Sequence, residues 1–236
     1  MKIMSRLTIG IRLIGDLLIG LWSRSKLLLR FLVWQWKAKH NSSLIKSFYV
    51  SLHAQVGERV LIEKGVFFDE NSSIGDCSYI NQNSSVENAV IGKFCSIARG
   101  VMIGPAEHDY SNISTHPFWY QSFYGFDLRN VVSKSLEYKR TIISDDVWIG
   151  CNVVVKRGVT VHTGAVIGAG SVVTRDVGAY EIWGGIPAKK IKQRFDNDII
   201  MSLLELDWCN FTREKINSNI ISNISNINSV IENAIH

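Results

Sequence analysis

The chain has 236 residues, of which 46% are hydrophobic and 20% charged, and its formal net charge is +5. This composition is typical of a globular protein and argues against extended disorder. Because the basic excess is small, we expect no nucleic-acid partner. The four cysteines form no CxxC pair, which argues against a zinc ribbon or a thioredoxin-type site and predicts a cytoplasmic protein.

Residues 1–50 form a segment that is both apolar and rich in Lys and Arg. Its longest charge-free run, Leu17–Ser23, is much shorter than the roughly 20 apolar residues of a membrane-spanning helix. The interrupted apolar run also fits a secretory signal poorly. We therefore predict a basic, apolar helical segment that packs against the domain or a sister subunit, or contacts a membrane surface peripherally at the cytoplasmic face.

Large apolar residues recur at every sixth position in two stretches of the chain. The first series is Val56, Ile62, Phe68, Ile74, Ile80, Val86, then, after one dropped residue, Ile91, Ile97 and Ile103; the second is Ile143, Ile149, Val155, Val161, Ile167 and Val173. A period of six fits a short strand and a sharp turn, because one inward side chain per repeat fills a narrow core. The pattern predicts an all-β solenoid over residues 51–194.

The period is interrupted once and then ends. Residues 105–142 are rich in aromatic and polar side chains, and a loop of this length is usually functional or disordered. We expect it to be extruded from the solenoid and to carry the active site. Residues 195–236 predict a C-terminal helical region, with one helix over Asp196–Leu206 and a second along an apolar stripe from Ile216 to Ile231.

Three phrases carry a resemblance to a known family: Ile91–Ile97 (IGKFCSI), Asp146–Gly150 (DVWIG) and Gly184–Lys189 (GGIPAK). They resemble the hexapeptide-repeat acetyltransferases, in particular the xenobiotic (chloramphenicol and streptogramin) acetyltransferases and related polysaccharide O-acetyltransferases. The resemblance covers about residues 56–212. It implies a left-handed parallel β-helix, a homotrimer with active sites between subunits, and acetyl-CoA as the acetyl donor.

Acetyl transfer to a hydroxyl requires a base that takes the hydroxyl proton. His108 follows the last hexad of the first series, where the loop leaves the solenoid, so it is anchored by the coil and points outward. The resemblance makes His108 the catalytic general base. A carboxylate of the flanking Glu107 or Asp109 is a candidate to orient its imidazole.

The resemblance also supplies candidates for the acceptor side, which are His116, Phe118, Tyr110 and Trp148. His116 either contacts the acceptor or has a structural role, and Trp148 either packs against the acyl-donor arm or is buried at a trimer contact. The phrase Ser114–Pro117 (STHP) resembles the polysaccharide-type members, which favours a saccharide hydroxyl as acceptor. An antibiotic hydroxyl and a sugar amine remain alternatives.

For the cofactor tail, the resemblance points to the cations Lys189, Lys190 and Arg194, and for the pantetheine arm to Gly150, Ala169 and Thr174. Alternatively, the glycine and alanine serve only turn geometry. Trp183 replaces a small aliphatic residue of the relatives, and we expect it to narrow the CoA groove or to fill a gap in the trimer.

Two other classes of protein share this repeat. A carbonic-anhydrase-like enzyme needs three converging histidines, and the six histidines of this chain offer no suitable pair, so we expect no metal. A non-catalytic scaffold would have no reason to place a histidine where the loop departs.

Overall fold

The computed structural model of the chain describes residues 25–128 and 139–235. Residues 25–40 form helix α1. The strands that follow are short, and most have two residues. They are β1 (Leu44–Ile45), β2 (Gln55–Val56), β3 (Leu61–Ile62), β4 (Phe67–Phe68), β5 (Ser73–Ile74), β6 (Tyr79–Ile80), β7 (Ser85–Val86), β8 (Ala89–Ile91), β9 (Ser96–Ile97), β10 (Met102–Ile103), β11 (Thr141–Ile143), β12 (Trp148–Ile149), β13 (Val154–Val155), β14 (Thr160–Val161), β15 (Val166–Ile167), β16 (Val172–Val173), β17 (Glu181–Gly185) and β18 (Ala188–Gln193).

The strands stack into three parallel walls. Sheet A has the order β1-β3-β6-β9-β12-β15-β17-β18, sheet B the order β4-β7-β10-β13-β16, and sheet C the order β2-β5-β8-β11-β14. From β2 to β16, neighbours in a wall are three strands apart in the chain, so each of these coils contributes one strand to each wall. Among the strands of the described residues, β18 alone runs antiparallel, as a hairpin with β17. The predicted parallel β-helix is confirmed.

The six-residue series fills the axis of this prism. All of its members except Val56 are buried, and Val56 is half-buried beside the core. Val56 lies in the first full coil, where fewer neighbours cover it. The stacking begins upstream of residue 51, because β1 pairs with β3 through Leu44 and Leu61.

Buried serines close the turns between coils. The hydroxyl of Ser78 donates to the carbonyl of Gly92 at 2.7 Å and accepts from the amide of Cys95 at 2.9 Å. Ser84 makes the same pair of contacts one turn later. A small residue fits beneath the next coil, and its hydroxyl satisfies backbone groups that the sharp turn leaves without strand partners.

The C-terminal region follows the prediction only in its first half. Helix α2 spans Asn197–Leu206 and buries Ile200 and Leu203 against Tyr180. The predicted second helix is wrong as a continuous element. The chain instead forms a short helix α3 (Arg213–Lys215), a π-turn (Ile216–Ile220), a 3₁₀ turn (Ile221–Asn223) and helix α4 (Ile227–Ile235).

The side chains of this region explain the break. The hydroxyl of Ser222 donates to the carbonyl of Asn217, and the side-chain amide of Asn223 donates to the carbonyl of Asn219. Such contacts compete with the helical backbone ladder, which is why Ser and Asn weaken helix interiors.

Within the described ranges, none of the helices has the length and apolar character needed to cross a bilayer.

Candidate active site

The loop that carries His108 leaves the solenoid at one edge of the prism. Strand β10 of sheet B ends at Ile103, and the chain re-enters the prism at β11 in sheet C. The loop therefore replaces one turn at the edge between these two sheets, here called the B–C corner. Gly104 begins it with φ +67°, and a side chain there would collide with the carbonyl of Glu87. Glycine is therefore required at the departure point.

Polar contacts pin both ends of the loop. The carbonyl of Gly104 accepts from Nε of Arg157 at 2.9 Å, and the guanidinium also lies 3.7 Å from the carboxylate of Glu87. At the returning end, the hydroxyl of Thr141 accepts from the amide of Gly158 at 3.1 Å. The base of the loop is thus fixed to the coil above it and the coil below it.

His108 is exposed, and its ring is oriented by the loop itself. Nδ1 lies 2.7 Å from the carbonyl oxygen of Thr115. A carbonyl oxygen only accepts, so Nδ1 carries the proton of the neutral ring, and the lone pair is on Nε2. The geometry leaves His108 with a basic nitrogen on the side away from the Thr115 contact.

The flanking carboxylates have other partners. Oε1 of Glu107 lies 3.4 Å from Nζ of Lys156, and Oδ1 of Asp109 accepts from the amide and the hydroxyl of Ser111. The group found at Nδ1 of His108 is the backbone carbonyl of Thr115.

His116 caps a 3₁₀ turn over Pro117–Trp119, because its Nδ1 accepts from the amide of Phe118 at 3.2 Å. Its ring also lies 4.8 Å from the ring of Tyr124. The lone pair is therefore on Nδ1, and the neutral ring carries its proton on Nε2, the reverse of His108. His116 thus organises the loop and keeps an Nε2–H donor.

The two aromatic candidates of the loop differ in their surroundings. Phe118 is half-buried and packs 5.1 Å from the ring of Phe126, whereas Tyr110 is 89% exposed. Phe123 is also 87% exposed. The described part of the loop therefore presents aromatic surface to solvent.

Trp148, Gly150 and Ala169 lie on a different part of the prism. Trp148 is on the outer face of sheet A and is 55% exposed, while the neighbouring Ile149 is buried. Gly150 and Ala169 follow sheet A strands in successive coils, at the A–B corner. A side chain on Gly150 would meet the amide nitrogen of Ala169 at 2.6 Å, so this glycine is needed for stacking as well.

Thr174 follows β16 and is exposed at the B–C corner, the same edge as the His108 loop. Within one chain, the structure therefore brings Thr174 and the base of the loop to one edge. It places Gly150 and Ala169 at the opposite edge of sheet B, with that wall between them and Gly104.

The predicted cofactor-tail cations are not equivalent. Arg194 is half-buried and donates to Oδ2 of Asp146 at 3.1 Å and to the carbonyl of Gly164 at 2.6 Å. Lys190 pairs with Glu181 at 2.6 Å, whereas Lys189 is exposed on the outer strand of the hairpin. Among the three, Lys189 is the cation best placed to meet a phosphate.

Burial changes the acid–base properties around Arg194. Burial raises the pKa of Asp146, and the adjacent guanidinium of Arg194 opposes this rise. Burial likewise raises the pKa of Tyr180 to about 12. The carboxylate of Asp146 depends on Arg194 for compensation, which assigns Arg194 a structural contact.

Trp183 occupies the inward position of the last coil, next to Ile167 in sheet A. It is 6% exposed, donates from Nε1 to Glu181 at 2.7 Å, and carries the guanidinium of Arg175 over its ring. The expectation that it narrows a CoA groove or fills a trimer gap is wrong, because its own chain buries it as the end of the core.

Sequence reasoning missed Arg157. It occupies a polar turn position, and nothing in its local sequence signals a contact with Gly104, which is 53 residues away. Among residues 25–128 and 139–235, no cluster of three His, Cys, Asp or Glu side chains is arranged to hold a metal ion.

These observations define a parallel β-helix built from six-residue repeats, with a histidine on an extruded loop. The family profile described as bacterial transferase hexapeptide (six repeats) matches residues 140–175. A chloramphenicol acetyltransferase from Agrobacterium fabrum is 40% identical over 148 residues, which cover 61% of this chain and 70% of that relative. The chain belongs to the hexapeptide-repeat acetyltransferases and is an acetyltransferase.

Two further proteins are similar to parts of this chain. A galactoside O-acetyltransferase from Escherichia coli K12 is 29% identical over 176 residues, which cover 71% of this chain and 78% of that relative. Among solved structures, a hexapeptide-repeat-containing acetyltransferase from Vibrio cholerae has a TM-score of 0.43 at 25% identity, covering 72% of this chain and 92% of that one.

Proposed function

We propose that this chain is an acetyl-CoA-dependent O-acetyltransferase in which Nε2 of His108 is the general base. The observation that carries the proposal is the 2.7 Å contact between Nδ1 and the carbonyl of Thr115, since it directs the lone pair to Nε2. The tie between Arg157 and Gly104 supports it, because a base must be held in position to act.

In the proposed reaction, Nε2 takes the hydroxyl proton while the hydroxyl oxygen forms a bond to the thioester carbonyl carbon. The carbon–sulfur bond then breaks, and the proton on Nε2 passes to the leaving CoA sulfur. The acetyl ester and the free thiol are the products. The carbonyl of Thr115 stabilises the imidazolium that forms in between, because it accepts from Nδ1–H throughout.

The acetyl donor would lie along the solenoid, with its phosphates near the exposed Lys189 and its pantetheine arm near Gly150 and Ala169. Residues 51–194 would thus form the acetyltransferase domain. The four cysteines are free, which supports a reducing, cytoplasmic compartment.

The arrangement of the corners supports a homotrimer with sites between subunits. Gly150 lies across sheet B from the departure point of the His108 loop at Gly104. A neighbouring solenoid that presents its A–B corner to this loop would bring His108 of one subunit to Gly150 of the next.

For the acceptor, we propose a hydroxyl of a saccharide, such as a precursor of a capsule or O-antigen glycan. Exposed aromatic rings on the loop, as at Tyr110 and Phe123, offer flat surfaces for the apolar face of a sugar. The Nε2–H of His116 is a donor suited to a second hydroxyl. The similarity to a galactoside O-acetyltransferase supports this choice.

An antibiotic hydroxyl is the second candidate. It is favoured by the 40% identity to a protein named as a chloramphenicol acetyltransferase. The same exposed aromatic rings suit an aromatic antibiotic.

The test is chromatographic measurement of CoA release from acetyl-CoA against a panel of galactosides, other glycans and chloramphenicol. We expect saccharide-dependent CoA release by the wild type and a loss of about 10²–10⁴-fold in kcat for His108→Ala. His162→Ala is the matched control, since His162 is exposed at a turn of the solenoid. Near-normal turnover of His108→Ala would overturn the assignment of the base, and turnover of chloramphenicol alone would select the second candidate.

A further inference from the structure

One face of helix α1 packs against the first coil of the solenoid. Trp34 and Ala38 on this face are each 3% exposed. Nε1 of Trp34 donates to the carbonyl of Val50 at 3.2 Å, and the side chain of Arg30 donates to the carbonyl of Phe48 at 2.8 Å. These contacts fix which face of α1 points away from the protein.

The opposite face is also apolar, and it is exposed. Leu28, Leu29, Leu32 and Trp36, here called the outer face of α1, are 52%, 63%, 54% and 65% exposed. Their spacing of one, four and eight residues from Leu28 places them on one stripe of the helix. A helix that is apolar on two sides needs a second partner for the side that its own domain leaves uncovered.

The charge of this end of the chain indicates the chemistry of that partner. Residues 1–40 contain eight Lys and Arg and one Asp, whereas the whole chain has a net charge of only +5, so the rest of the chain is slightly acidic. The apolar spacing of the outer face continues upstream in the sequence at Ile14, Leu18 and Leu21. Basic charge together with a stripe of Leu and Trp is the pattern of helices that lie in the interface of an anionic membrane.

We propose that the outer face of α1 binds the surface of a membrane containing anionic lipids, with Leu28, Leu32 and Trp36 inserted at the boundary of headgroups and acyl chains. This interaction goes beyond acetyl transfer. Because α1 lies against the first coil and the His108 loop leaves a later coil, the contact leaves the proposed active site free. A second copy of the chain fits less well, since two outer faces would bring two strongly basic segments together.

The experiment is co-sedimentation of the full chain with vesicles of neutral phosphatidylcholine and with vesicles that also contain phosphatidylglycerol, at low and high salt. The test variant is Leu28→Gln/Leu32→Gln. The matched control is Met201→Gln/Leu204→Gln, which changes two exposed aliphatic residues of α2. All three proteins are also assayed with a soluble acceptor.

We expect the wild type and the α2 variant to bind anionic vesicles, more weakly at high salt, and the α1 variant to partition about tenfold less or worse, with unchanged turnover of a soluble acceptor. Equal binding of the two variants, or no binding of wild type, would overturn the proposal. So would a smaller mass in light scattering for the α1 variant without a change in vesicle binding, because that result identifies a second copy as the partner. The vesicle-binding and light-scattering outcomes do not depend on the identity of the acceptor.

Discussion

Nε of Arg157 donates a hydrogen bond to the carbonyl oxygen of Gly104, at 2.9 Å, at the point where the His108 loop leaves the solenoid. The side chain of Arg157 is 12% exposed, and its guanidinium also reaches the carboxylate of Glu87 in the preceding coil. Arg157 therefore links three consecutive coils at one edge. It is a positioning residue, because it sets the direction in which the loop departs.

Replacing this arginine tests that role. Arg157→Met keeps the aliphatic stem and removes the donor, so we expect kcat to fall about 10–100-fold, because a misplacement of roughly 1 Å has effects of that size. The KM for acetyl-CoA should change little. Arg157→Lys keeps the positive charge but lacks the planar guanidinium. Its kcat should therefore lie between those of the wild type and Arg157→Met. Steady-state kinetics of the three proteins check these expectations.

Lys156 supplies the matched control for Arg157. It lies next to Arg157 and pairs with Glu107 at 3.4 Å, with its side chain 51% exposed. An exposed pair of this kind contributes about 0–1 kcal/mol, so Lys156→Met should retain nearly full turnover. Similar losses in both variants would contradict a specific role for Arg157, and full activity of Arg157→Met would remove that role.

Two glycines in neighbouring coils allow steric and conformational demands to be separated. In Gly150→Ala, the new Cβ would meet the backbone of Ala169 at 2.6 Å, so the coils must shift, and we expect the free energy of unfolding to fall by about 1–3 kcal/mol. In Gly170→Ala, nothing lies within 4 Å and only the φ of +71° is unfavourable, which costs about 1 kcal/mol. Urea denaturation measures both, and a smaller effect for Gly150 than for Gly170 would refute the steric argument.

Gly150 illustrates how much of the fold could be predicted from the sequence. The six-residue period predicts inward residues such as Ile97 and Ile149 because each is determined by its own strand and turn. It also marks Gly150 as a turn position. Glycine is obligatory there because Ala169 of the next coil lies against it. Which residue faces Gly150 depends on the register between coils, and no local sequence pattern specifies that register.

The His108 loop was less accessible to prediction for a similar reason. The position of His108 at the end of a hexad could be recognised, but its partner could not, because the carbonyl of Thr115 is supplied by irregular backbone. Any residue has a carbonyl, so no side-chain signal marks the contact. Arg194 illustrates a related limit: the basic cluster indicated phosphate contacts, but nothing in that cluster signalled that Arg194 also pairs with Asp146.

Removing Arg194 should therefore affect folding more than cofactor binding. Burial raises the pKa of Asp146, so the native state holds the proton more tightly than the unfolded chain does. The contribution of Asp146 to stability is then fully present below its ordinary pKa and is lost as the pH rises through the native value. Arg194 limits that loss, and without it the pKa of Asp146 rises further.

We accordingly expect Arg194→Met to be destabilised by about 1–3 kcal/mol at pH 7 and by less as the pH falls toward 4, because the protonated carboxyl of Asp146 no longer needs a neighbouring cation. Lys192→Met, at an exposed position of the same strand, is the control. Urea denaturation at the two pH values measures the difference. A deficit that grows toward pH 4 would contradict the assigned pairing.

Replacing Lys189, in contrast to Arg194, should weaken cofactor binding and leave folding stability unchanged. This lysine is exposed on β18, so Lys189→Ala should leave stability unchanged and raise the KM for acetyl-CoA by about fivefold or more, as expected for a lost charge-assisted contact to phosphate. Comparing acetyl-CoA with its 3′-dephospho form localises the contact, because a lysine that meets the 3′-phosphate no longer matters once this group is absent. An unchanged KM for both donors would remove Lys189 from the site.

The cysteines provide a test of the solenoid core that does not depend on catalysis. Burial raises the pKa of Cys95 to about 12 from an ordinary value of 9.0, which lowers its thiolate fraction at pH 8 by about three orders of magnitude. Cys77 is exposed at a turn. Iodoacetamide should therefore label Cys77 in the native protein and leave Cys95 unmodified, while both react in urea. Peptide mass spectrometry reads the sites, and the Cys77→Ser variant shows the background. Because Cys95 lies between stacked coils, native labelling of Cys95 at the rate of Cys77 would mean that these coils do not stay closed.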